Sequence, residues 1–323
     1  MTPLFSPSTQ AQHWQAVTRV PCELGESPFW HPQEQRLYWI DITGRQVLRA
    51  NVADGSVEHW DLPSEPGCIA PAVGGGLVLA LRHGVFRARS WGGPLQHLAT
   101  LDYDPATTRA NDGKCDALGR FWIGTIDETK LARNAALYCL DARSGVPLLT
   151  RHTDPVTQPV TTANGLAWSP DARTLYWADT PSHQIQAWDF EPASATLSAP
   201  RAFAQFASKP PGWQFDQPGY GGRPDGATVD AQGNYYVALF EGRRVCQFAP
   251  DGRLLAQWAT PAQCPTMPCL GGADLKTLFI TSARHGRSKA ELSALPLSGC
   301  VFSTPVTVPG LPVNLFVDSN FCT

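Results

Sequence analysis

One pattern recurs six times along the 323-residue chain: a turn, then a short apolar or aromatic run, then a polar pair. It reads QRLYWID at Tyr38, GGLVLAL at Val78, GRFWIGT at Phe121, TLYWADT at Tyr176, NYYVALF at Tyr235 and TLFITSA at Phe279. Successive anchors lie 40 to 59 residues apart, and most are followed by another strand-like segment ending in Asp or Gly, such as QVLRANVADG or RVCQFAPDG. Alternation with period two dominates, which signals strands, and helical periodicity is hard to find. Six such units, each with about four short strands, predict an all-β fold, a six-bladed β-propeller with a central metal site. The alternative is a β-sandwich whose strands resemble one another by chance. Because all-β architectures run past the usual domain size, residues 1–323 read as a single domain, with residues 1–22 contributing to blade closure.

The residues ahead of the anchors carry the chemistry. Glu26 lies twelve residues before Tyr38, Asn111 ten before Phe121, Asn164 twelve before Tyr176, and Asp225 ten before Tyr235. The turns HPQEQR and SPDART are longer than DALGR and DAQGN and absorb the difference. All four polar residues are therefore expected at one place, the start of a blade's first strand. In a propeller that strand is the innermost, and six of them line one channel. Two carboxylates and two amides around a narrow mouth repel or strand their polarity unless a cation sits between them. Oxygen donors suit one hard divalent cation: calcium first, with zinc, manganese, magnesium or iron as alternatives.

Other features set limits. A formal net charge of −3 gives no footing for nucleic acid or an acidic membrane surface. No segment reaches the apolar length of a membrane span, and the N-terminal MTPLFSPSTQAQHWQAV lacks a charged and then apolar leader, so a cytoplasmic protein is expected. The nine cysteines are odd in number and scattered, as buried reduced thiols would be. The eight histidines form no H-x-H or H-E-x-x-H cluster, which argues against a His-based zinc site. Asp112 reads as a structural turn residue, Asp179, Asp230 and Asp274 as structural, and His285 as exposed. A monomer or weak homodimer is expected.

At these motifs the chain resembles the family of gluconolactonase, regucalcin (senescence marker protein) and luciferin-regenerating enzyme. GESPFW (25–30), RANDGKCDALGRFWIGT (109–125), ANGLAWSPDARTLYWADT (163–180), RPDGATVDAQGNYYVAL (223–239) and GGADLKTLFITSA (271–283) occur in the family's order, and the likeness covers about residues 20–295. The resemblance implies a six-bladed propeller with one divalent metal on its axis, held by Glu26, Asn164 and Asp225, and substrate contacts from Arg109 and Asn111. Many relatives carry a substrate-binding Glu after the G-T motif. In GTIDETK the nearest equivalent is Asp127, Glu128 or Thr129, with Glu128 the substrate-binding candidate. Residues 207–222 look longer than the family's usual approach to the P-D-G turn and are expected to form a flap over the mouth, carrying Trp213, Phe215 and Tyr220.

The activity implied is hydrolysis of a small-molecule sugar lactone to the aldonic acid. Asp225 is expected to serve as general base beside the metal. Two competitors come from other classes: a non-catalytic calcium-binding propeller, and a hydrolase of aryl esters or phosphotriesters, which an apolar mouth would favour. A lyase of the strictosidine-synthase kind shares the fold, but nothing in the chain points to its amine substrate.

Overall fold

The computed structural model describes residues 13–153 and 159–318. These form six antiparallel four-stranded sheets. In the first five blades the strands follow one another in chain order from axis to rim. The innermost strands are Gly25–His31, Pro66–Pro71, Thr108–Cys115, Ala163–Trp168, Arg223–Val229 and Pro265–Gly271. Each touches its neighbours in turn, and the last returns to the first. The ring is a six-bladed propeller.

The last blade is assembled from both ends of the described chain. Its strands run Pro265–Gly271, Thr277–Ser282 and Phe302–Pro305, and the fourth is Gln15–Ala16. Gln15 pairs with Ser303 and Ala16 with Phe302. Closing the ring this way covers part of the Phe302–Pro305 edge with a two-residue strand, and so short an edge is a poor template for pairing with another chain.

Burial explains the sequence pattern. Innermost strands have both faces covered and are buried nearly throughout, whereas the rim strand Ser56–Asp61 is largely exposed. The six repeat anchors all lie buried in second strands. Their aromatic rings pack between blades. Tyr176 meets Tyr235 at 4.9 Å between centroids, and Trp30 stacks on Phe279 at 5.9 Å. Full burial of one such side chain stabilises the fold by roughly 1.5–3 kcal/mol. The structural reading of Asp179, Asp230 and Asp274 holds. Asp230 accepts from the amides of Gln232 and Asn234, from Asn234 Nδ2 and from Tyr236 Oη. Asp179 accepts from the amides of Thr161 and Thr162, and Asp274 from that of Lys276. His285 is exposed. The eight described cysteines are free and buried. Cys322 lies outside the described residues. Among those residues no helix is long and apolar enough to cross a membrane.

Residues 309–318 strap the face where the innermost strands end. The Ala231 amide donates to Pro309 O, Asn314 Nδ2 to Cys115 O, the Phe316 amide to Pro71 O, and the strap ends on the buried pair Arg87–Asp318 at 3.1 Å. Beneath it lies a cavity of about 310 Å³, lined by Phe29, Trp30, Trp168, Leu270 and Lys114 among others. This cavity belongs to the far end of the channel. Glu26, Asn111, Asn164 and Asp225 do not line it.

A chain starting at residue 20 lacks the fourth strand of the last blade and leaves Phe302–Pro305 as an open edge. It is expected to melt lower than the full chain and to aggregate with rising concentration in light scattering. Unchanged melting and a monodisperse solution would show that Gln15–Ala16 does not hold the ring closed.

Candidate metal centre

Every innermost strand slips its register near its start: between Glu26 and Phe29, Pro66 and Cys68, Ala110 and Gly113, Asn164 and Ala167, Pro224 and Ala227, and Pro265 and Pro268. Such a bulge leaves residues unpaired, bends the strand and re-aims its side chains. The bulges are stitched from blade to blade. Ser27 Oγ accepts from the Ile69 amide at 3.0 Å, and Asp112 Oδ2 accepts from the Leu166 amide at 2.8 Å. Thr180 Oγ1 donates to Pro224 O at 2.8 Å, and Thr266 Oγ1 donates to Gly25 O at 2.5 Å. Gly165 sits in one bulge at φ 66°, and a Cβ there would come within 2.5 Å of Tyr235 Oη, which donates to Gly165 O. Only glycine meets both demands.

The four polar residues singled out in the sequence reach one mouth, but not from one position. Glu26 and Asn164 are the last paired residues before their bulges, opposite Ile40 and Ala178. Asn111 and Asp225 are the first unpaired ones, just after Ala110 and Pro224. Equivalent placement is thus correct to within one residue. The bulge has one form in all four strands, and it is the anchors that differ: Tyr38 and Tyr176 face the first residue after the bulge, whereas Phe121 and Tyr235 lie two residues nearer the turn.

A chain of hydrogen bonds joins blades 2 to 5. Arg82 Nη1 donates to Glu128 Oε2 at 2.8 Å, and Arg109 Nε to Glu128 Oε1 at 3.2 Å. Arg109 Nη1 donates to Ala110 O and to Asn111 Oδ1, both at 2.9 Å. Asn111 Nδ2 donates to Ala163 O at 3.0 Å and to Asn164 Oδ1 at 2.8 Å. Asn164 Nδ2 then donates to Thr180 Oγ1 at 2.8 Å. Asn111 has thereby spent both amide hydrogens on positioning Asn164, whose Oδ1 keeps one lone pair. Among the described residues Arg109 Nη2 meets no protein acceptor, so its two N–H groups are the donors left for a ligand. Of the three candidates after G-T, Glu128 joins Arg109. Asp127 instead accepts from the amides of Thr129, Ala132 and Arg133.

Glu26 comes from blade 1 and Asp225 from blade 5, so they sense each other only across the axis. Burial foremost, then the charges of Asp225 and Asp112, push the Glu26 carboxyl well above its ordinary range, with Arg109 opposing. Burial and then Asp112 push Asp225 up to about 8, with Arg223 and the Gly226 amide opposing. The protein offers these carboxylates little else. Ser27 N lies 3.3 Å from Glu26 Oε2, and the Gly226 amide faces Asp225. Two crowded carboxylates and an amide oxygen fit a hard divalent cation. No three His, Cys, Asp or Glu side chains converge as ligands among the described residues, so a cation here would draw on Asn164 and water as well.

Several contributors went unnoticed in the sequence. Arg82 is one basic residue in a hairpin and carries no signal. Thr180 belongs to the polar pair that ends the repeat, which is a weak one. Asp112 does not form a turn. It lies buried within its strand, bracing the bulge that follows Asn164, with Oδ1 unpartnered. Lys114 reaches inward to Ala227 O. The loop 207–222 lies on the same face as the mouth, docked on blades 4 and 5. Lys209 Nζ bonds Glu241 at 2.8 Å and Tyr220 Oη lies 3.0 Å from His183 Nε2.

A sequence model of the SMP-30/Gluconolactonase/LRE-like region matches residues 24–284. The 6-deoxy-6-sulfogluconolactonase of Pseudomonas putida is 39% identical over 302 residues, 93% of this chain and 97% of that protein. Regucalcin of Danio rerio is 34% identical over 296 residues, covering 90% and 93%. Among solved structures, a calcium-binding regucalcin from Agrobacterium tumefaciens superposes with a TM-score of 0.85 at 23% identity, covering 96% of this chain and 99% of that one. Fold and sequence agree, and the chain belongs to the SMP-30/gluconolactonase/LRE-like family.

With chelator present, Asp225→Asn removes one of the crowded charges and is expected to melt above wild type, by roughly 2–4 °C for each kcal/mol of repulsion relieved. The pH response has a definite sign. A carboxyl that holds its proton more tightly folded than unfolded adds stability at low pH. That stability is lost as pH rises through about 8. Chelated wild type should therefore melt lower at pH 9 than at pH 6, with a smaller drop in Asp225→Asn. Equal drops would mean that Asp225 is not crowded.

Proposed function

We propose that this protein is a metal-dependent sugar lactonase that opens an aldono-1,4- or 1,5-lactone to its aldonic acid. Membership of the gluconolactonase family makes it a hydrolase of cyclic carboxylic esters. The observation that carries the finer reading is the pairing, at one mouth, of crowded carboxylates with a fixed guanidinium donor. A calcium buffer needs the first and has no use for the second.

Glu26, Asn164 and Asp225 would hold the ion, with calcium the first candidate and zinc, manganese, magnesium and iron the alternatives. A regucalcin relative and a calcium-binding structural neighbour support that order. A divalent cation bound there supplies Lewis acidity toward an ester carbonyl and lowers the pKa of a bound water. Asp225 takes the proton as water adds to the acyl carbon, and returns it to the ring oxygen as the acyl–oxygen bond breaks. Arg109 Nη2 holds a carbonyl or hydroxyl oxygen of the substrate, braced by Glu128 and Arg82. Asn111 sets Asn164 and lends its remaining oxygen surface to the substrate. The aryl-ester reading needs an apolar mouth. Trp213 and Phe215 of the 207–222 loop are what favour it: Trp213 is buried against Tyr220 and gives its indole N–H to Gln217 O, and Phe215 is half-buried.

The test is a pH-indicator screen of gluconolactone, xylonolactone, arabinonolactone and galactonolactone against a metal panel, with elemental analysis of untagged protein. One divalent ion per chain is expected in wild type and less in Asp225→Ala. Asp225→Asn should lose roughly 10²–10⁴-fold in kcat. Arg109→Met should mainly raise KM. Asn111→Ala should weaken both metal retention and turnover. Activity on aryl esters or phosphotriesters alone would replace the lactonase reading, and metal binding without any turnover would leave a calcium-binding scaffold.

A further inference from the structure

The polar mouth has two walls of cations, and they differ. On the blade 2–3 side, Arg82 and Arg109 are matched by Glu65 and Glu128. On the blade 5–6 side, three cations converge on one carboxylate. Lys209 Nζ lies 2.8 and 2.9 Å from the two oxygens of Glu241, Arg223 Nη1 lies 2.8 Å from Oε2, and Arg287 Nη1 lies 3.1 Å from Oε1. Arg287 also pairs with Glu291 at 2.7 Å. Three positive charges thus share the two carboxylates they touch, Glu241 and Glu291, while Arg223 reaches Asp225 only through space. Alongside, Arg244 gives its donors to Gly221 O and Gln257 Oε1, both neutral.

Position ties this cluster to the reacting centre. Arg223 opens the innermost strand of blade 5, two residues before Asp225. It pairs with Phe240, and Glu241 follows directly. Arg287 arrives from the loop of blade 6, and Lys209 from the long approach to blade 5. Glu241 is buried, whereas the side chains of Arg223 and Lys209 remain 25% and 33% exposed. The surplus charge therefore faces solvent at the mouth and not the core.

A clamp that merely docks the 207–222 loop on the blades needs one cation per carboxylate. Gathering a third at about 3 Å from the same carboxylate adds repulsion between like charges, which an incoming anion relieves. Guanidinium and ammonium groups are the usual partners of oxyanions, arginine through paired N–H donors.

We propose that the blade 5–6 wall of the mouth is an anion subsite, which holds a sulfonate, phosphate or carboxylate carried by the substrate at the end away from its ester. Lys209 and Arg223 are its contact residues, and Glu241 with Arg287 fixes them in place. The inference rests on the lactonase reading and narrows it from sugar lactones in general to acidic ones.

The test compares kcat/KM for glucono-1,5-lactone with that for its 6-phospho and 6-deoxy-6-sulfo counterparts and for a glucaric acid lactone. Wild type is expected to favour at least one anionic substrate by roughly ten- to a hundredfold. In Arg223→Gln and Lys209→Gln the ratio of anionic to neutral rates should fall toward one. Arg223→Lys should keep part of it, and raised salt should shrink it in wild type. The sulfo, phospho and carboxy arms separate the three anions. If wild type turns over the neutral lactone as well as every acidic one, or if both glutamine variants keep the wild-type ratio, the subsite is refuted and the lactonase reading stands. If no lactone is opened, the lactonase reading falls. Calorimetric titration with 6-phosphogluconate and 6-deoxy-6-sulfogluconate then decides. Binding weakened in Arg223→Gln supports the subsite, and no binding refutes it.

Discussion

The bulge near the start of each innermost strand is the feature on which the rest depends. A regular strand paired on one side sends alternate side chains to opposite faces, and both faces of a propeller blade are packed against neighbours. Breaking the register leaves Asn111 and Asp225 unpaired and sets Glu26 and Asn164 beside the break, which brings all four to one mouth. The freed backbone is not left unsatisfied. Ser27, Asp112, Thr180 and Thr266 each carry a bond to the adjoining blade at this level. The joints of the ring thus adjoin the site residues, and neither can drift without the other.

Electrostatics at the mouth follows from that geometry. Glu26 and Asp225 are held apart in sequence and together in space, Asp225 buried and Glu26 half-buried, so both are poorly solvated. Their hydrogen-bond partners from the protein are few, which leaves oxygen lone pairs facing the axis. Arg109 is buried too, yet it is tied through Glu128 to Arg82, so its position is set before a ligand arrives. Crowded anions beside an anchored cation make a centre organised for charge, in contrast to the apolar cavity beneath the C-terminal strap at the far end of the channel.

Much of this was legible in the chain. The repeat anchors Tyr38, Val78, Phe121, Tyr176, Tyr235 and Phe279 all became buried residues of second strands, because period-two alternation and aromatic spacing report burial directly. Glu26, Asn111, Asn164 and Asp225 could be gathered at one mouth by counting back from those anchors. Counting could not find the bulge, since an unpaired residue looks like any other in a sequence. It therefore equated positions that differ by one, and it took Asp112 for a turn. Arg82 and the cations around Glu241 were invisible for another reason: they come from hairpins and loops of separate blades, with no common spacing.

The sequence by itself determined the class of fold, the number of blades and four of the polar groups at the mouth, because those depend on local periodicity repeated six times. The tertiary structure decided which hydrogen bond each group spends. Asn111 turns out to position Asn164, Glu128 and not Asp127 braces Arg109, and Lys209, Arg223 and Arg287 meet on Glu241. Those partnerships join residues from different blades or distant loops, and only closure of the ring brings them within a hydrogen bond's reach.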